Sequence, residues 1–473
     1  MTAQDAPTGP TTTAATAPWT GRWVTDRLGI GLTGSERLPE FVGLALRENK
    51  KRAHLLVSNV LGKHVPQRPG VVHGAGLDLG RRVRELLGED ASRQAVVLGY
   101  AETATGLGHS VADALGAPYL HSTRRPVEGV TPVGGFEEEH SHATSHLLLP
   151  ADPALLAGDG PLVLVDDEFS TGNTVLNTIR ALHAGHPRAH YVVVSLVDLR
   201  GEADRSRLAE AAADLGARLD LVATVSGGVR LPADVMPRAQ ALIDRAEPPA
   251  PLPDGPAAPV TRVDLGWPAG LPDGGRHGFT PEHRAVLDTA LPELTKQLLR
   301  GLVAGPATPN PGLAAAPRVL VLGFEELMYA PLRLAGGLAG VLGEESVRFS
   351  TTTRSPVLAV DDPGYAIRTR LAFPAHDDPA DEGSGERYAY NVAPGSDPRR
   401  RFEAIVLVVD DHGDTPALHQ GERALLRQLR QVTDHVVLAV LPSYRPGGTA
   451  APVRPSDGPG TAAPSVPVPP PAA

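Results

Sequence analysis

The segment 162–174, LVLVDDEFSTGNT, constrains the fold of this chain more than any other stretch. Its four apolar residues, 162–165, predict a buried strand of a parallel sheet. Two acids follow, and residues 175–185 have helical spacing that stops at Gly185. A strand, a short polar loop and a helix in this order predict an α/β fold.

The loop between this strand and helix carries the chemistry that a phosphorylated sugar needs. The adjacent carboxylates of Asp166 and Asp167 can accept hydrogen bonds from two vicinal hydroxyls. Small polar residues and a glycine at a helix N-terminus leave backbone N–H groups open to a phosphate. These residues are Ser170, Thr171, Gly172, Asn173 and Thr174. The alternative is an ordinary strand that ends in acids before a helix cap, as in many α/β proteins.

The whole pattern resembles the 5-phosphoribosyl 1-diphosphate (PRPP) motif of type I phosphoribosyltransferases: an apolar strand, two acids, two variable residues, then Ser-Thr-Gly-any-Thr. The resemblance implies a parallel-sheet phosphoribosyltransferase fold. It implies that Asp166 and Asp167 bind the ribose hydroxyls and contact Mg²⁺ indirectly, mainly through PRPP. It further implies that residues 170–174 bind the 5-phosphate.

Composition narrows the class of protein. A chain of 473 residues has room for two ordinary domains and tails. Its net charge of −10 argues against a nucleic-acid surface, and the absence of cysteine excludes disulfides and thiolate metal sites. No apolar run has the length of a membrane span, and the N-terminus lacks a signal-peptide pattern. We expect a soluble, cytoplasmic protein with neither nucleic acid nor membrane as a partner.

Stretches rich in Pro, Ala and Thr divide the chain. Residues 1–18 and 445–473 are predicted to be disordered tails, and 247–259 a linker. These breaks leave a phosphoribosyltransferase domain at 19–246 and a second domain at 260–444.

Two upstream segments add candidate ligands. The first ordered segment, around 41–66, predicts a helix, a strand at 54–60 and a polar turn. Lys63 in this turn can meet an anion, and a solvated turn lysine is the alternative. Further on, a strand at 95–98 leads into a loop of small residues and a helix near 106–108, where backbone amides can approach a ligand. By the resemblance this is the pyrophosphate loop, with Glu102, Thr103, Ala104 and Thr105.

Cationic and histidine-rich loops follow. Arg124 and Arg125 can neutralise a diphosphate, although a surface pair would need no explanation. Residues 134–150 match in position the mobile hood loop that closes over the active site in this superfamily. Glu138 or His140 in this loop is a candidate for moving a proton, and a metal site at His140 and His142 is the rival interpretation.

The second domain echoes the first. Residues 319–340 parallel 96–116, 351–357 parallel 121–127, and 405–415 parallel 162–172. Order and spacing recur together, which predicts a degenerate repeat of the phosphoribosyltransferase fold. Its motif carries Asp414 where a phosphate would meet the helix, so we expect no second PRPP site.

The second domain contains the run Thr353-Arg354-Ser355-Pro356. Its one-letter sequence, TRSP, is also the name of a known domain family. The chain thus resembles the phosphoribosyltransferase of bacterial tellurite-resistance and stress gene clusters, followed by its TRSP domain. That resemblance implies orotate-phosphoribosyltransferase-like chemistry on a nucleobase-like acceptor, in nucleotide or nucleoside-like metabolite synthesis. It leaves open a homodimer and protein partners from the same cluster. Thr353, Arg354 and Ser355 are candidates for binding an anionic part of a substrate.

Three interpretations remain open elsewhere. Asp273, Arg276 and His277 lie in a Gly- and Pro-rich stretch and can reach a ligand, or the stretch is a structural loop that packs Trp267. A non-catalytic PRPP sensor is one rival to the enzyme, because such proteins can keep the motif intact. An interaction scaffold that docks through the second domain is the other rival.

Overall fold

The computed structural model describes residues 18–48, 53–137, 145–248, 251–253, 255–305, 317–377 and 385–444. We call the residues up to 248 the first half and those from 251 onward the second half. Within these ranges, no helix combines the length and apolar character needed to cross a membrane.

The first half alternates helices and strands. Its elements are α1 (Arg22–Leu28), β1 (Gly31–Gly34), α2 (Leu38–Phe41), β2 (Val42–Leu46), β3 (His54–Ser58), α3 (Pro69–Leu87), α4 (Glu89–Gln94), β4 (Val96–Gly99), α5 (Thr105–Leu115), β5 (Tyr119–His121), β6 (Gly134–Glu137), β7 (Ser145–Leu148), β8 (Leu162–Phe169), α6 (Asn173–Gly185), β9 (His190–Asp198), α7 (Glu202–Asp214), β10 (Arg218–Arg230) and α8 (Val235–Ile243).

A six-stranded sheet forms the centre of the first half, in the order β1-β10-β9-β8-β4-β5. All its neighbours are parallel except β1 and β10. The chain leaves β4 towards β5 and returns to β8 on the other side of β4, which makes the gap between β4 and β8 the topological switch point. Ligands of open α/β sheets bind at such a point, beyond the carboxyl ends of the strands. The predicted parallel-sheet α/β fold is confirmed.

The second half contains a second parallel sheet. Its elements are β11 (Val260–Val263), α9 (Pro281–Val303), β12 (Val319–Gly323), α10 (Tyr329–Leu342), β13 (Val347–Thr351), β14 (Arg370–Pro374), β15 (Glu386–Tyr390), β16 (Ala404–Asp410), α11 (Pro416–His419), α12 (Leu425–Val432) and β17 (His435–Leu441). The sheet order is β11-β17-β16-β12-β13.

This second sheet repeats the first. Strands β17, β16, β12 and β13 are neighbours in the same order as β9, β8, β4 and β5. The antiparallel hairpin β14–β15 is inserted where the first half has the hairpin β6–β7. These four strands therefore share one topology, as the sequence repeat predicted. The fifth strand differs, because β11 begins its half whereas β10, at the same place in the sheet, is the last strand of its own. The division at a 247–259 linker stays a prediction.

The helix predicted in the first ordered segment, around 41–66, is wrong. Residues 42–46, VGLAL, form strand β2, which pairs antiparallel with β3. All five are buried, and the Leu358 N–H of the second half donates to the Leu46 carbonyl over 2.9 Å. Because a short apolar run buried on all sides has no informative period, the pattern could not distinguish helix from strand. Strand β3 likewise ends at Ser58, two residues earlier than expected.

The halves join through two reciprocal backbone pairings. Tyr119 and Phe279 exchange hydrogen bonds of 2.8 and 2.7 Å, and Gln67 and Phe349 exchange bonds of 3.0 and 2.7 Å. Tyr119 and Phe349 each stand two residues before the end of the edge strand, β5 or β13. Gln67 and Phe279 each stand two residues before the proline that begins α3 or α9. Such reciprocity marks an approximate twofold arrangement, like that of a symmetric dimer.

Glu326 carries a buried charge at this junction. Its carboxylate accepts from the Thr123 hydroxyl at 2.8 Å and the Arg124 N–H at 3.2 Å, and the Arg276 guanidinium lies 3.3 Å away. Burial alone would raise the pKa of Glu326, but Arg276 and Arg125 outweigh burial and lower it to about 2. The ionised carboxylate thus holds the halves together.

Replacing Glu326 by Gln should therefore lower the free energy of unfolding at pH 7 by roughly 3 kcal/mol. Because the folded pKa is depressed, this contribution is present above the unfolded value of about 4.3 and is lost as pH falls from there through 2. Urea denaturation of both proteins at pH 7 and pH 3 measures it. Glu293→Gln, at an exposed site on α9, is the control. A difference between Glu326→Gln and wild type that persists undiminished at pH 3 would refute the role of the charge.

Candidate functional site

Three loops of the first half meet at the carboxyl edge of its sheet. Strand β4 lies between β5 and β8, with Gly99 opposite both His121 and Val165. The Tyr100 N–H donates to the Val165 carbonyl over 3.1 Å, and the Ser122 N–H donates to the Gly99 carbonyl over 3.0 Å. The register of β4 with its two neighbouring strands therefore brings the loops after β4, β5 and β8 together at the switch point.

The acid pair lies within β8 rather than after it. The strand runs to Phe169, and Asp166 is paired in register with Ser195 of β9. Both carboxylates are half-buried, and the Asp167 N–H donates to Asp166 Oδ1 over 2.9 Å. Burial raises the pKa of the neighbouring Tyr100, and the charge of Asp166 adds to that rise. Since successive strand residues face opposite sides, the two carboxylates leave β8 on opposite faces of the sheet.

Gly172 sets the shape of the loop that follows. Its φ of 83° is in the left-handed region, and a Cβ there would lie 2.6 Å from Leu208 Cδ1. The residue also caps α6, which begins at Asn173, two residues before the expected start. Arg207 donates to the Thr171 carbonyl over 2.8 Å and holds the outer side of the loop. The N–H groups of the first turn of α6 thus open on the same edge as the acid pair.

Lys63 lies between β3 and α3, and its side chain reaches the loop after β4. Its ammonium lies 3.0 Å from Glu102 Oε1 as an ion pair and donates to the Thr103 hydroxyl over 2.6 Å. Lys63 and Glu102 are only 6% and 8% exposed, so the solvated-lysine alternative is wrong. Burial favours a raised pKa for Glu102, but Lys63, a hydrogen bond from Thr353 and the charge of Arg354 together lower it. The peptide bond before Glu102 is cis.

The side chains of the two consecutive arginines, Arg124 and Arg125, extend towards different halves of the molecule. Arg124 stays over the first half, with Nη2 3.4 Å from His146 Nε2. Arg125 instead crosses to the second half and donates to Asp410 Oδ2 over 2.6 Å. Arg124 is therefore the one of the pair that stands beside the candidate site.

The hood is described only at its base, the hairpin β6–β7. Glu138, His140 and His142 lie outside the described residues. His146 on β7 is fully buried, and its Nδ1 lies 2.8 Å from the Ser122 hydroxyl, which accepts from the Ala101 N–H at 3.0 Å. The base of the hood is thus tied to the loop that contains Glu102.

Sequence reasoning missed Tyr100 and Glu326 as residues of this region, whereas His146 lies in the predicted hood loop, 134–150. The repeat contained the signal for Glu326, because it occupies the position of Glu102 in the second copy. Asp273, Arg276 and His277 are buried. Arg276 contacts Glu326, His277 Nδ1 lies 2.7 Å from the Leu149 carbonyl, and Trp267 donates to the Leu271 carbonyl over 3.0 Å.

At the matching edge of the second half, ion pairs between described residues occupy the space beyond the strands. Arg354 Nε lies 2.6 Å from Glu325 Oε2, and Glu325 also pairs with Arg387 of the hairpin β14–β15. The remaining space is about 10 Å³, room for about one water molecule. It is lined by Arg125, Arg276, Phe324, Glu325, Glu326, Leu327, Arg354, Asp377 and Asp410. Thr353 is buried nearby, and Ser355 donates its N–H to the Thr353 hydroxyl over 3.2 Å.

The second copy of the motif differs at its phosphate loop as well. Asp414 is 2.7 Å from both Arg262 Nη2 and His419 Nε2. A helix of only four residues, α11, follows the loop, compared with thirteen in α6. The second half therefore has the strands of the fold without the open phosphate loop.

Among the described residues, no group of three His, Asp or Glu side chains is arranged to hold a metal ion. A metal site at His140 and His142 is not tested, because both residues lie outside that part of the chain.

Comparisons with known proteins agree with this division. A family model described as phosphoribosyl transferase matches residues 41–228, and a model described as the TRSP domain C-terminal to it matches 273–429. The search of curated proteins gave no match.

Among solved structures, the adenine phosphoribosyltransferase of Giardia lamblia complexed with 9-deazaadenine is 19% identical, with 39% of this chain and 94% of that one covered and a TM-score of 0.29. The Rhodothermus marinus adenine phosphoribosyltransferase is 18% identical, with 40% and 96% covered and a TM-score of 0.29. Likenesses this low carry no argument about the substrate. The two family models together show that this chain belongs to the proteins in which a phosphoribosyl transferase domain is followed by a TRSP domain.

Proposed function

We propose that the first half transfers a ribose 5-phosphate unit between PRPP and a nucleobase-like acceptor, with Mg²⁺ bound to PRPP. The observation that carries the proposal is the convergence of three loops at one sheet edge. These are the acid pair on β8, the glycine-shaped loop at α6, and the loop of Glu102 with its buried lysine.

Each part of PRPP has a matching group. The N-terminal turn of α6, with residues 170–174, suits the 5-phosphate, since free N–H groups and the helix dipole favour an anion. Asp166 and Asp167 suit the ribose hydroxyls. The backbone of residues 102–105 suits the diphosphate, with Lys63 and Arg124 as the nearest cations from the first half.

The residues also fit Mg²⁺. Half-buried carboxylates are oxygen donors of the kind that would suit a Mg²⁺ ion carried by substrate phosphates. Asp166 and Asp167 would hold it indirectly. When bound, it supplies positive charge to the diphosphate oxygens.

The reaction breaks the bond between ribose C1 and a diphosphate oxygen and forms a C1–N bond to the acceptor. Negative charge collects on the leaving diphosphate, where Lys63 and Arg124 offset it. The acceptor nitrogen loses its proton, and Glu138 or His140 of the hood would take it. Closure of the hood would exclude water from the reacting centre.

The wider role follows from the resemblance to proteins of tellurite-resistance and stress clusters. We propose synthesis or salvage of a nucleoside-like metabolite in the cytoplasm, with a homodimer and cluster proteins as candidate partners. Two rivals remain: a sensor that binds PRPP without turnover, and a scaffold that docks through the second half.

Diphosphate release from PRPP with Mg²⁺ and a panel of nucleobases tests the proposal on the full chain. We expect release with at least one base, and none after EDTA removes the metal. Binding of PRPP without release for any base would establish the sensor instead. Absence of both binding and release would leave the scaffold.

Asp166→Asn combined with Asp167→Asn should weaken PRPP binding by about 100-fold, because two charged acceptors for the ribose hydroxyls become neutral. Calorimetry with Mg²⁺ measures the affinity. Asp411→Asn, at the exposed second acid of the other copy, is the matched control and should bind PRPP like wild type. Unchanged affinity in the double variant would remove both carboxylates from the ribose site.

Gly172→Ala should displace the phosphate loop, since its Cβ would clash with Leu208 and left-handed φ costs alanine about 1–2 kcal/mol. We expect ribose 5-phosphate to bind at least about tenfold more weakly, measured by calorimetry. Gly185→Ala at the end of α6 meets nothing within 4 Å and is the control. Equal affinities for the two variants would contradict a phosphate site at this loop.

A further inference from the structure

His146 connects the base of the hood to Arg124. It is fully buried on β7, opposite Phe136 of β6, and the two rings stack with centroids 4.7 Å apart and planes 13° apart. Its Nδ1 lies 2.8 Å from the Ser122 hydroxyl, and its Nε2 lies 3.4 Å from Arg124 Nη2. Packing therefore fixes the ring, and each ring nitrogen has a polar group beside it.

The contact with Arg124 determines which ring nitrogen carries the proton. A guanidinium has only N–H donors, so Nε2 of His146 is the acceptor in this contact. A neutral imidazole has one N–H, which must then be on Nδ1 and is donated to the Ser122 hydroxyl. That hydroxyl has two lone pairs and also accepts from the Ala101 N–H. The two contacts of His146 are therefore compatible with one neutral form of the ring.

The second copy has an arginine in place of this histidine. Arg354 follows β13 by three residues, as Arg124 follows β5. The bridge that joins each hairpin to the loop after its edge strand lies one residue beyond His146 in the first copy and one residue beyond Arg387 in the second. His146 and Arg387 thus correspond. Because an arginine has no acceptor, Arg387 cannot hold Arg354 as His146 holds Arg124.

Glu325 supplies an acceptor in the second copy. It follows β12 by two residues, as Ala101 follows β4, and the N–H of each donates to a hydroxyl in the loop after the edge strand. The Glu325 carboxylate lies 2.6 Å from Arg354 Nε and also pairs with Arg387. The change of histidine to arginine is thus accompanied by a change of alanine to glutamate. In both copies the arginine after the edge strand keeps an acceptor.

We propose that His146 is a positioning residue for Arg124, whose guanidinium donates to its Nε2 and is thereby kept over the first half. Arg125, the next residue, crosses to the second half instead. The role rests on the proposed binding of PRPP, in which Arg124 offsets charge on the diphosphate. His146 acts through Arg124 without touching the ligand. Since His146 belongs to the hood hairpin, the hood helps to set the diphosphate end of the site.

Two amide variants of the full chain separate the two contacts of the ring. An asparagine amide reaches the place of Nδ1 and can keep the contact with Ser122, whereas a glutamine amide reaches the place of Nε2 and can accept from Arg124. We expect His146→Asn to bind Mg²⁺–diphosphate about tenfold more weakly than wild type, and His146→Gln to stay within about twofold of it. Calorimetry measures both affinities. Equal diphosphate affinities for the two variants would overturn the proposal.

The effect should be confined to the diphosphate end and should pass through Arg124. Ribose 5-phosphate should bind both variants like wild type, because the loop at α6 has its own supports. His190→Asn, at the amino end of β9 where Nε2 lies 2.7 Å from Asp220, is the control and should leave diphosphate affinity unchanged.

A double-mutant cycle tests the route of the effect. In an Arg124→Met background, His146→Asn should change diphosphate affinity by less than about twofold, because its partner is already gone. A full tenfold loss in that background would refute a role through Arg124.

The tautomer is measurable without any ligand. Nitrogen-15 NMR of the wild-type chain labelled at histidine should show, for His146, a neutral ring protonated on Nδ1, with His146→Gln identifying its signals. A neutral ring protonated on Nε2 would contradict the contact with Arg124, whatever the chain binds. If the expected tautomer is present and the wild-type chain binds neither diphosphate nor ribose 5-phosphate, the proposed function at the first half is refuted instead.

Discussion

The structure depends on two glutamates that are ionised and buried where its halves meet. Removing a carboxylate from water costs several kcal/mol, and the cost is recovered only when cations and hydrogen-bond donors surround the charge. Neither half supplies a full set for its own glutamate. Glu102 takes Lys63 from its own half and Arg354 from the other, whereas Glu326 takes Arg276 from its own half and Thr123 from the other. Each half therefore stabilises the charge of the other.

The same junction explains why two copies of one fold differ at the carboxyl edges of their sheets. In the second half, Arg125 neutralises Asp410 and Arg387 ties the hairpin β14–β15 to Glu325. Asp414 is held by Arg262 and His419 where a phosphate would otherwise approach. In the first half the matching loop is shaped by Gly172 and leads into a full-length helix. Duplicated strands thus serve binding in one copy and support in the other.

Separate contacts hold the two main parts of the candidate site, the acid pair on β8 and the loop of Glu102. Its carboxylates lie on β8 in the middle of the first sheet, where Asp166 is paired with Ser195 of β9, one residue beyond the end of the pairing with β4. The loop of Glu102 is held from three directions, by Lys63, by Arg354 and by Ser122, which connects it to His146 at the base of the hood. A loop held in this way is preorganised for a charged ligand, since little reorganisation is left for the moment of binding.

The sequence by itself determined the α/β class, the order of strands and loops around 96–116 and 162–185, and the repeat in the second half. Apolar runs, acids at a strand end and glycine at a helix start can be interpreted from the sequence, because each depends only on residues that are close together in the chain. The sequence did not determine strand β2, whose fully buried residues have no period, or the separate courses of Arg124 and Arg125. Only the tertiary structure decided that Arg354 meets Glu102 and that Thr123 meets Glu326, because partners more than 200 positions apart in the chain are chosen by how two sheets pack. No spacing along a chain encodes that choice, since the stabilisation of each buried charge exists only once both halves are in place.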